Sequence, residues 1–436
     1  MLEVYKKLFD EFDKRSVDYV VYKGLDHLAD DLNGERGDID ILTGDIKKIE
    51  NILLFQNWIK VLKNYYPKYF FYLHEKKNLM LDIENRIKIG EKPYKPYFIE
   101  IDISRLKITN FGNVKILSYE DYIPLMFLLR VTESHKKENL DKFRSLFRNS
   151  VVDGYIKEVV ENLTEVKWDE IEKDIIETSS WQELQNKYKA IILKNTKVDK
   201  RSLIAQQFKW IIEKYKIIQK RIMKTPPYRI RKKGYLVAFI GNDGAGKSSM
   251  IEAILRNDYF QCTGTKMIYF GNNQYVLPCL NQFMKKGYSN KIINLTLAVL
   301  ASFDKKIRAI IAYYYIYQGY IVLADRYVYD DLMSLYFNSR IYTKNVLKKL
   351  YRYIVEPRMI LRPEITFFLD VEPEIAYARK QDYDFEIVKQ NINRYREFMS
   401  KFYEVVKIDA NQSQDNVLNE IMKRLYAKDF EVNQKF

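Results

Sequence analysis

The feature that most constrains this chain is the octapeptide Gly241-Asn-Asp-Gly-Ala-Gly246-Lys247-Ser248, which fits G-x-x-x-x-G-K-[ST] in full. An apolar run, Tyr235–Ile240, precedes it, and a helical pattern, Ser249–Leu255, follows it. A strand before and a helix after are what the motif's mechanism needs. Glycines let a backbone wrap a phosphate without Cβ clashes. The free N–H groups at the helix start supply partial positive charge. Gly241, Asn242, Asp243, Gly244, Ala245, Gly246, Lys247, Ser248 and Ser249 are therefore expected to cradle the phosphates of a nucleotide such as ATP. Lys247 is expected to reach the β- and γ-phosphates, and the Ser248 hydroxyl to ligate Mg2+.

Binding alone does not choose a reaction, so the flanking sequence must. Ile321–Ala324 and Ile365–Leu369 are two more apolar strands, each entered after helical sequence and each ending in an aspartate. Strands alternating with helices predict an α/β parallel sheet covered on both faces. Asp325-Arg326-Tyr327 then falls at the carboxyl end of that sheet, where ligands bind. Asp325 can hold magnesium or accept the proton of an attacking oxygen, and Arg326 can clamp an anionic acceptor bidentately. An ion pair closing a turn is the bland alternative. Val371-Glu-Pro373 leads into a helix carrying Arg379-Lys380. An arginine there can spread charge over a transferring phosphoryl group, or simply face solvent. Lys407-Ile-Asp-Ala-Asn411, before the last helix, resembles a loop lying under an adenine base.

In this order, the GNDGAGKSS loop, the DRY triplet, the P-x-I-x-x-x-L-D strand of Pro363–Asp370 and the I-D-A ending resemble thymidylate kinase and its relatives among the P-loop nucleoside monophosphate kinases. The resemblance covers Gly234–Leu425. It implies a three-layer fold around a parallel sheet of about five strands. It implies ATP and Mg2+, with Asp243 touching the acceptor sugar and Arg379 serving as a lid arginine. Tyr269–Tyr275 stands where thymidylate kinases carry an R-E-P-G-G-type segment, and the base-reading position offers Arg308, Lys305 or Lys306. The acceptor thus stays open between thymidylate and a phosphorylated or sugar-like small molecule.

The N-terminal part carries a second constellation. Lys23-Gly24 is followed by Asp38-Ile-Asp40-Ile-Leu42. Alternation on a strand puts Asp38 and Asp40 on one face. Two carboxylates so placed repel unless a cation sits between them, which suits magnesium. Asp82, with Asp102 in reserve, is the candidate third ligand of a two-metal site. A solvated edge strand is the other reading of the pair. K-G, Arg36, D-I-D-I-L, L-D-I-E and Leu117-Ser-Tyr-Glu-Asp121, with a helix bearing His135, resemble uncharacterised nucleotidyltransferases of the polymerase-β type over Val20–Phe147. That resemblance implies an α+β domain with Asp38, Asp40 and Asp82 as metal ligands. His27, His74 and His135 read as surface or hydrogen-bonded residues.

The organisation expected is a nucleotidyltransferase-like domain over 1–150, a helical extension over 151–223, a linker over 224–233 and a thymidylate kinase-like domain over 234–430. Strands are expected at Tyr19–Tyr22, Ile39–Leu42, Met80–Ile83 and Phe98–Ile103. Ser118-x-x-Asp121 and Ser180-x-x-Glu183 look like capping boxes. Trp181, Leu184, Tyr188 and Ile191 recur at helical spacing and read as core. In Lys224–Lys233 two adjacent prolines precede a basic run, the pattern of a solvated connector.

Composition trims the function classes. The apolar run Ala309–Ala324 is broken by Gln318 and Gly319 and reads as a helix followed by a buried strand, so no transmembrane segment is expected. The charged N-terminus is not a signal peptide, and a cytoplasmic home is expected. Two cysteines and three histidines give neither a disulfide framework nor an evident zinc site. A net charge of +15 is interleaved with acids along the chain, which favours a solvated surface over a nucleic-acid footprint. A homodimer, a nucleotidyltransferase as the main activity, also in surface polysaccharide synthesis, and an ATP-dependent nucleic-acid-binding regulator remain the alternatives.

Overall fold

The short strands before the glycine-rich loop pair into two sheets. In chain order they are β1 (Tyr19–Val21), β2 (Asp38–Thr43), β3 (Ile59–Lys60), β4 (Lys68–His74), β5 (Lys77–Glu84), β6 (Ile87–Ile89), β7 (Tyr97–Ile99), β8 (Ile108–Phe111), β9 (Val114–Leu117) and β10 (Lys197–Val198). In the computed structural model the chain divides into two units, Met1–His74 with Asn78–Ile222, and Met223–Phe436 with Glu75–Lys77. The structure describes residues 1–35, 38–62, 68–74, 77–91, 95–133, 140–147, 151–208, 226–271, 275–276, 280–281, 283, 291–337, 362–402 and 404–435. Arg36, His135, Cys279, Asn272–Gln274, the helical reading of 209–223 and the connector residues Lys224 and Thr225 lie outside the described residues.

The first unit's main sheet has the order β3-β4-β5-β2-β1-β9-β8, and β10-β7-β6 form a small second sheet. Strand β2 runs parallel to β5, with Asp40 opposite Asp82, and antiparallel to β1. Period-two alternation sorts its faces. Ile39 and Ile41, with Leu79, Leu81 and Ile83 of β5, pack into a core with Phe9, Phe12, Ile49, Ile52 and Trp58. These come from helices Glu3–Lys14 and Ile46–Phe55 and their flanks. The aspartates therefore point to the opposite face. Beyond Leu117 the unit is helical, held by Phe127 edge-on to Trp168 and Tyr188 with ring centroids 5.9 and 5.6 Å apart. Trp181, Leu184 and Tyr188 are buried as expected, but Ile192 fills the place expected of Ile191.

The two capping boxes do not form. Ser118 and Ser180 precede their helices, yet neither side chain caps. Asp121 is buried and accepts from the N–H groups of Lys107 and Ile156 at 2.7 and 2.6 Å. Those two amides outcompete the local cap. Glu183 turns to Ser179 instead.

The second unit bears out the expected parallel α/β sheet. Strands β11 (Tyr235–Ile240), β12 (Thr265–Tyr269), β13 (Ile321–Asp325), β14 (Ile365–Asp370) and β15 (Val405–Asp409) lie in the order β12-β13-β11-β14-β15, all parallel. Every residue of β11 is buried, as befits a central strand covered on both faces. The apolar run Ala309–Ala324 divides as read: helix Lys291–Tyr317 ends, Gly319 takes φ +94°, and β13 begins. Among the described residues no helix is long and apolar enough to cross a membrane.

The connector is not solvated throughout. Ile230 and Arg231 are fully buried. Arg231 pairs bidentately with Asp429 of helix Gln414–Gln434 and donates to the carbonyls of Thr263 and Gly319. Tyr235 and Tyr259 each donate a hydroxyl to the same carboxylate, at 2.8 and 2.9 Å. The side-chain amide of Asn433 donates to the Ile230 carbonyl at 2.7 Å. A buried ion pair survives only when its remaining valences are met, and here they are. Asp429→Ala would strand a buried guanidinium, so we expect it to destabilise the fold by about 3–5 kcal/mol. Denaturant unfolding of the full chain measures this, and an unchanged midpoint would show that the network carries little.

Candidate active site

The site of the second unit is built where β11 ends. Gly241 to Gly246 turn over the strand end and feed helix Lys247–Arg256. Gly244 has φ +82°, and a Cβ there would sit 2.5 Å from the Ala376 carbonyl oxygen. Only glycine fits both demands. The Lys247 side chain folds back so that Nζ donates to the carbonyls of Gly241 and Asn242, at 2.9 and 2.7 Å. Burial, with Arg326 nearby, lowers its pKa to about 8. The Ser248 hydroxyl donates to Asp325 Oδ2 at 2.8 Å. Strand register makes that bond: β11 and β13 pair with Phe239 opposite Asp325, so the loop after one strand faces the end of the other.

Arg326 follows immediately, with φ +64° and its N–H on the Phe239 carbonyl at 3.1 Å. Its guanidinium pairs with Asp243 on the glycine-rich loop and, at 3.1 Å, with Asp330. Burial works against its charge, but Asp330 and Asp243 outweigh it. Arg379 ends helix Pro373–Arg379 and donates both terminal nitrogens to the Ala410 carbonyl at 3.2 Å. Asp243, Arg326 and Arg379 line one cavity of about 710 Å³, together with Lys380, Tyr383, Gln412 and Gln414. All the residues singled out from the loop to Ser249, and Asp325, Arg326 and Arg379 with them, border it except Gly241 and Asn242, which hold Lys247 from behind. Ala410, from the segment read as an adenine loop, and Gln412 just beyond that segment also line it.

The arrangement fits a nucleotide with a hard divalent cation. A hydroxyl and a carboxylate lie within one hydrogen bond of each other, and both are oxygen donors. A buried ammonium beside them donates to two backbone carbonyls, with Asp330, Asp243 and Asp325 near enough to favour its charge. Arg308 does not offer itself to a ligand. It is buried, pairs with Asp304 and donates to the carbonyls of Tyr269 and Gly271, bracing the turn after β12. Asp330 and Tyr395 were not foreseen. Asp330 lies one helical turn past Arg326, a spacing that signals pairing; Tyr395 gave no signal.

In the first unit Asp38, Asp40 and Asp82 share one face of β2 and β5, as alternation required. Glu84 joins them, accepting from the buried Tyr22 hydroxyl at 2.5 Å. Lys23 Nζ lies 3.0 Å from Asp40 and 3.8 Å from Glu84. Burial, then Asp40 and Asp38, push the Asp82 carboxyl up to about 9. Its Oδ1 is buried and has no hydrogen-bond partner among the described residues. Burial and Asp40 raise Asp38 also. Among the described residues no three His, Cys, Asp or Glu side chains converge closely enough to hold a metal ion. Asp102 stands apart from the group as the cap of the turn Ile103–Arg105. His27 bonds Asp26 through Nδ1 at 2.9 Å.

The sequence profile of the thymidylate kinase family matches residues 239–421. A probable thymidylate kinase 2 of Saccharolobus solfataricus is 28% identical over 152 residues, 34% of this chain and 64% of that protein. The thymidylate kinase of Plasmodium falciparum is 24% identical over 208 residues, 45% of this chain and 91% of that one. Among solved structures, a thymidylate kinase from Candida albicans is 16% identical with a TM-score of 0.35, covering 45% of this chain and 94% of its own. A deoxyadenosine kinase from M. mycoides is 15% identical with a TM-score of 0.32, covering 44% and 99%. The C-terminal half is thus a thymidylate kinase-like domain, and the chain is an enzyme of the P-loop nucleotide kinase class.

The glycine-rich loop yields a sharp prediction. Gly244→Ala drives a methyl into the Ala376 carbonyl in a backbone region L-residues avoid. We expect ATP binding to the folded protein, read by equilibrium titration with a fluorescent analogue, to weaken at least about tenfold, and the backbone strain to lower the unfolding midpoint as well. Unchanged affinity would mean that the loop does not cradle the nucleotide.

Proposed function

We propose that the C-terminal unit transfers the γ-phosphoryl group of ATP to a nucleoside monophosphate of the dTMP kind, or to a related small anionic acceptor. One observation carries this reading: the Ser248–Asp325 bond beside the buried Lys247, with Arg326 on the same cavity. Magnesium arriving with the nucleotide would be held by Ser248 and Asp325 and would neutralise phosphate charge. Lys247 would exchange two carbonyls for phosphate oxygens, a stronger, charge-assisted partner. Arg326 would exchange Asp243 for the acceptor's anionic group. Arg379, held at the cavity rim by Ala410, would add positive charge over the phosphoryl group.

A second reading concerns the first unit, which we infer to be nucleotidyltransferase-like. The shared face of Asp38, Asp40 and Asp82 and the unpartnered Asp82 oxygen support it. Divalent metal would have to draw the carboxylates together and displace Lys23 from Asp40. A cytoplasmic home belongs to this reading because both reactions consume nucleotides. A homodimer is supported by helix Lys291–Tyr317, whose exposed Phe303, Ile310, Tyr313 and Tyr317 leave an apolar face.

Mass spectrometry of products separates the activities. Full-length protein with Mg-ATP and a panel of nucleoside monophosphates, sugars and sugar phosphates is expected to yield an acceptor heavier by one phosphoryl group. Lys247→Ala should lower that rate by about 10²-fold or more. A variant that consumes ATP as fast as the parent would sink the kinase reading. A product heavier by a nucleotidyl group, lost in Asp38→Asn with Asp40→Asn, would instead make the first unit the main enzyme. Steeply salt-dependent nucleic-acid binding would point to the regulator. For the dimer, sedimentation should show two copies in the parent and one in Ile310→Glu; a monomeric parent removes it.

A further inference from the structure

Two neighbouring residues on one helix hold different walls of the cavity. Helix Phe385–Met399 carries Tyr395 and Arg396. Tyr395 is buried, and its hydroxyl donates to Asp330 Oδ1 at 2.9 Å. The other oxygen of that carboxylate, Oδ2, accepts from Arg326 Nη1 at 3.1 Å. One carboxylate therefore joins the tyrosine to the arginine. Arg396 reaches Asp370 and Glu372, each at 2.7 Å. Glu372 is the residue from which helix Pro373–Arg379 starts.

The two acids on Arg326 are not equivalent. Asp243 lies on the glycine-rich loop, among the atoms that receive phosphate. Its pairing with Arg326 has to yield when an anion arrives. Asp330 lies outside that loop, on helix Val328–Phe337. It has no reason to let go. A carboxylate held at one oxygen still swings about its last side-chain torsion, which is broad. A second bond at the other oxygen, from a buried and rigid phenol, fixes its plane. A fixed plane fixes the guanidinium it grips, because arginine's donors form a rigid fork.

We propose that Tyr395, acting through Asp330, is a positioning residue for Arg326, fixing its guanidinium so that an anionic acceptor meets it in one orientation. The proposal rests on the kinase reading of this cavity. It adds that the acceptor arginine is set from the same helix that anchors the Asp370–Glu372 segment. Nothing in the local sequence marks Tyr395; the packing of helix Phe385–Met399 on the sheet puts it there.

The test uses Tyr395→Phe in the full-length protein, which removes one oxygen and keeps the ring. With dTMP as acceptor, KM for dTMP should rise about fivefold, the effect of a lost buried hydrogen bond, while KM for ATP stays within about twofold. An unchanged KM for dTMP overturns the proposal. So does an equal rise in both KM values, which marks a general structural role. A second measurement does not depend on turnover. In ligand-free protein labelled with ¹⁵N-arginine, the side-chain resonance of Arg326 is identified by its loss in Arg326→Lys. It should be sharp in the parent and broadened in both Tyr395→Phe and Asp330→Asn. An unmoved resonance overturns the proposal. A parent that phosphorylates no acceptor while this resonance broadens in the variants would defeat the kinase reading and leave the positioning role standing.

Discussion

The parallel register of β11 with β13 is the constraint on which the second unit's chemistry depends. It sets Phe239 opposite Asp325. The chain leaves β11 into the glycine-rich loop and leaves β13 into Arg326, so both loops open at the same edge of the sheet. A slip of one residue would turn Asp325 to the other face and remove the partner of Ser248. Parallel strands buried on both sides resist such a slip, because every residue of β11 and β13 is packed. The geometry of the site is thus secured by the apolar residues of the sheet, which hold Asp325 at the end of β13.

What could be read in the sequence was what depends on near neighbours. The glycine-rich loop is legible because a strand, a turn and a helix start together make the phosphate cradle. Asp38 and Asp40 are legible because alternation is a property of any strand. Which of Asp82 and Asp102 lies beside that pair is harder to read, and the register of β2 with β5 sets Asp82 opposite Asp40. The failures share a cause. Asp121 was read as part of a cap, but distant amides claim it. Arg231 was read as a solvated basic residue, yet its partner Asp429 lies 198 positions away. Arg308 looked available to a base and is consumed by two carbonyls. In each case a long-range hydrogen bond overrides a short-range preference, and such bonds leave no periodic trace.

Backbone conformation tells the same story at Arg326. A non-glycine residue at φ +64° is held there by its surroundings. Its N–H is tied to the Phe239 carbonyl, its side chain to two acids. The strain is consistent with a side chain aimed across the sheet edge rather than along the following helix. Sequence shows a D-R-Y triplet but not which way the arginine faces.

The electrostatics of the two units point in opposite directions. On the first unit's face, Asp38, Asp40, Asp82 and Glu84 stand with one ammonium, that of Lys23, and Asp82 responds by holding its proton up to about 9. Added positive charge would relieve that face. In the second unit the buried Lys247 rests on carbonyl dipoles, and its pKa falls to about 8. Added negative charge would relieve it, and a phosphate is the anion its glycine-rich surroundings admit. In the second unit this local arrangement, rather than the overall charge of +15, favours an anion. Dispersed lysines set the background field, whereas a few buried charged groups set the local one.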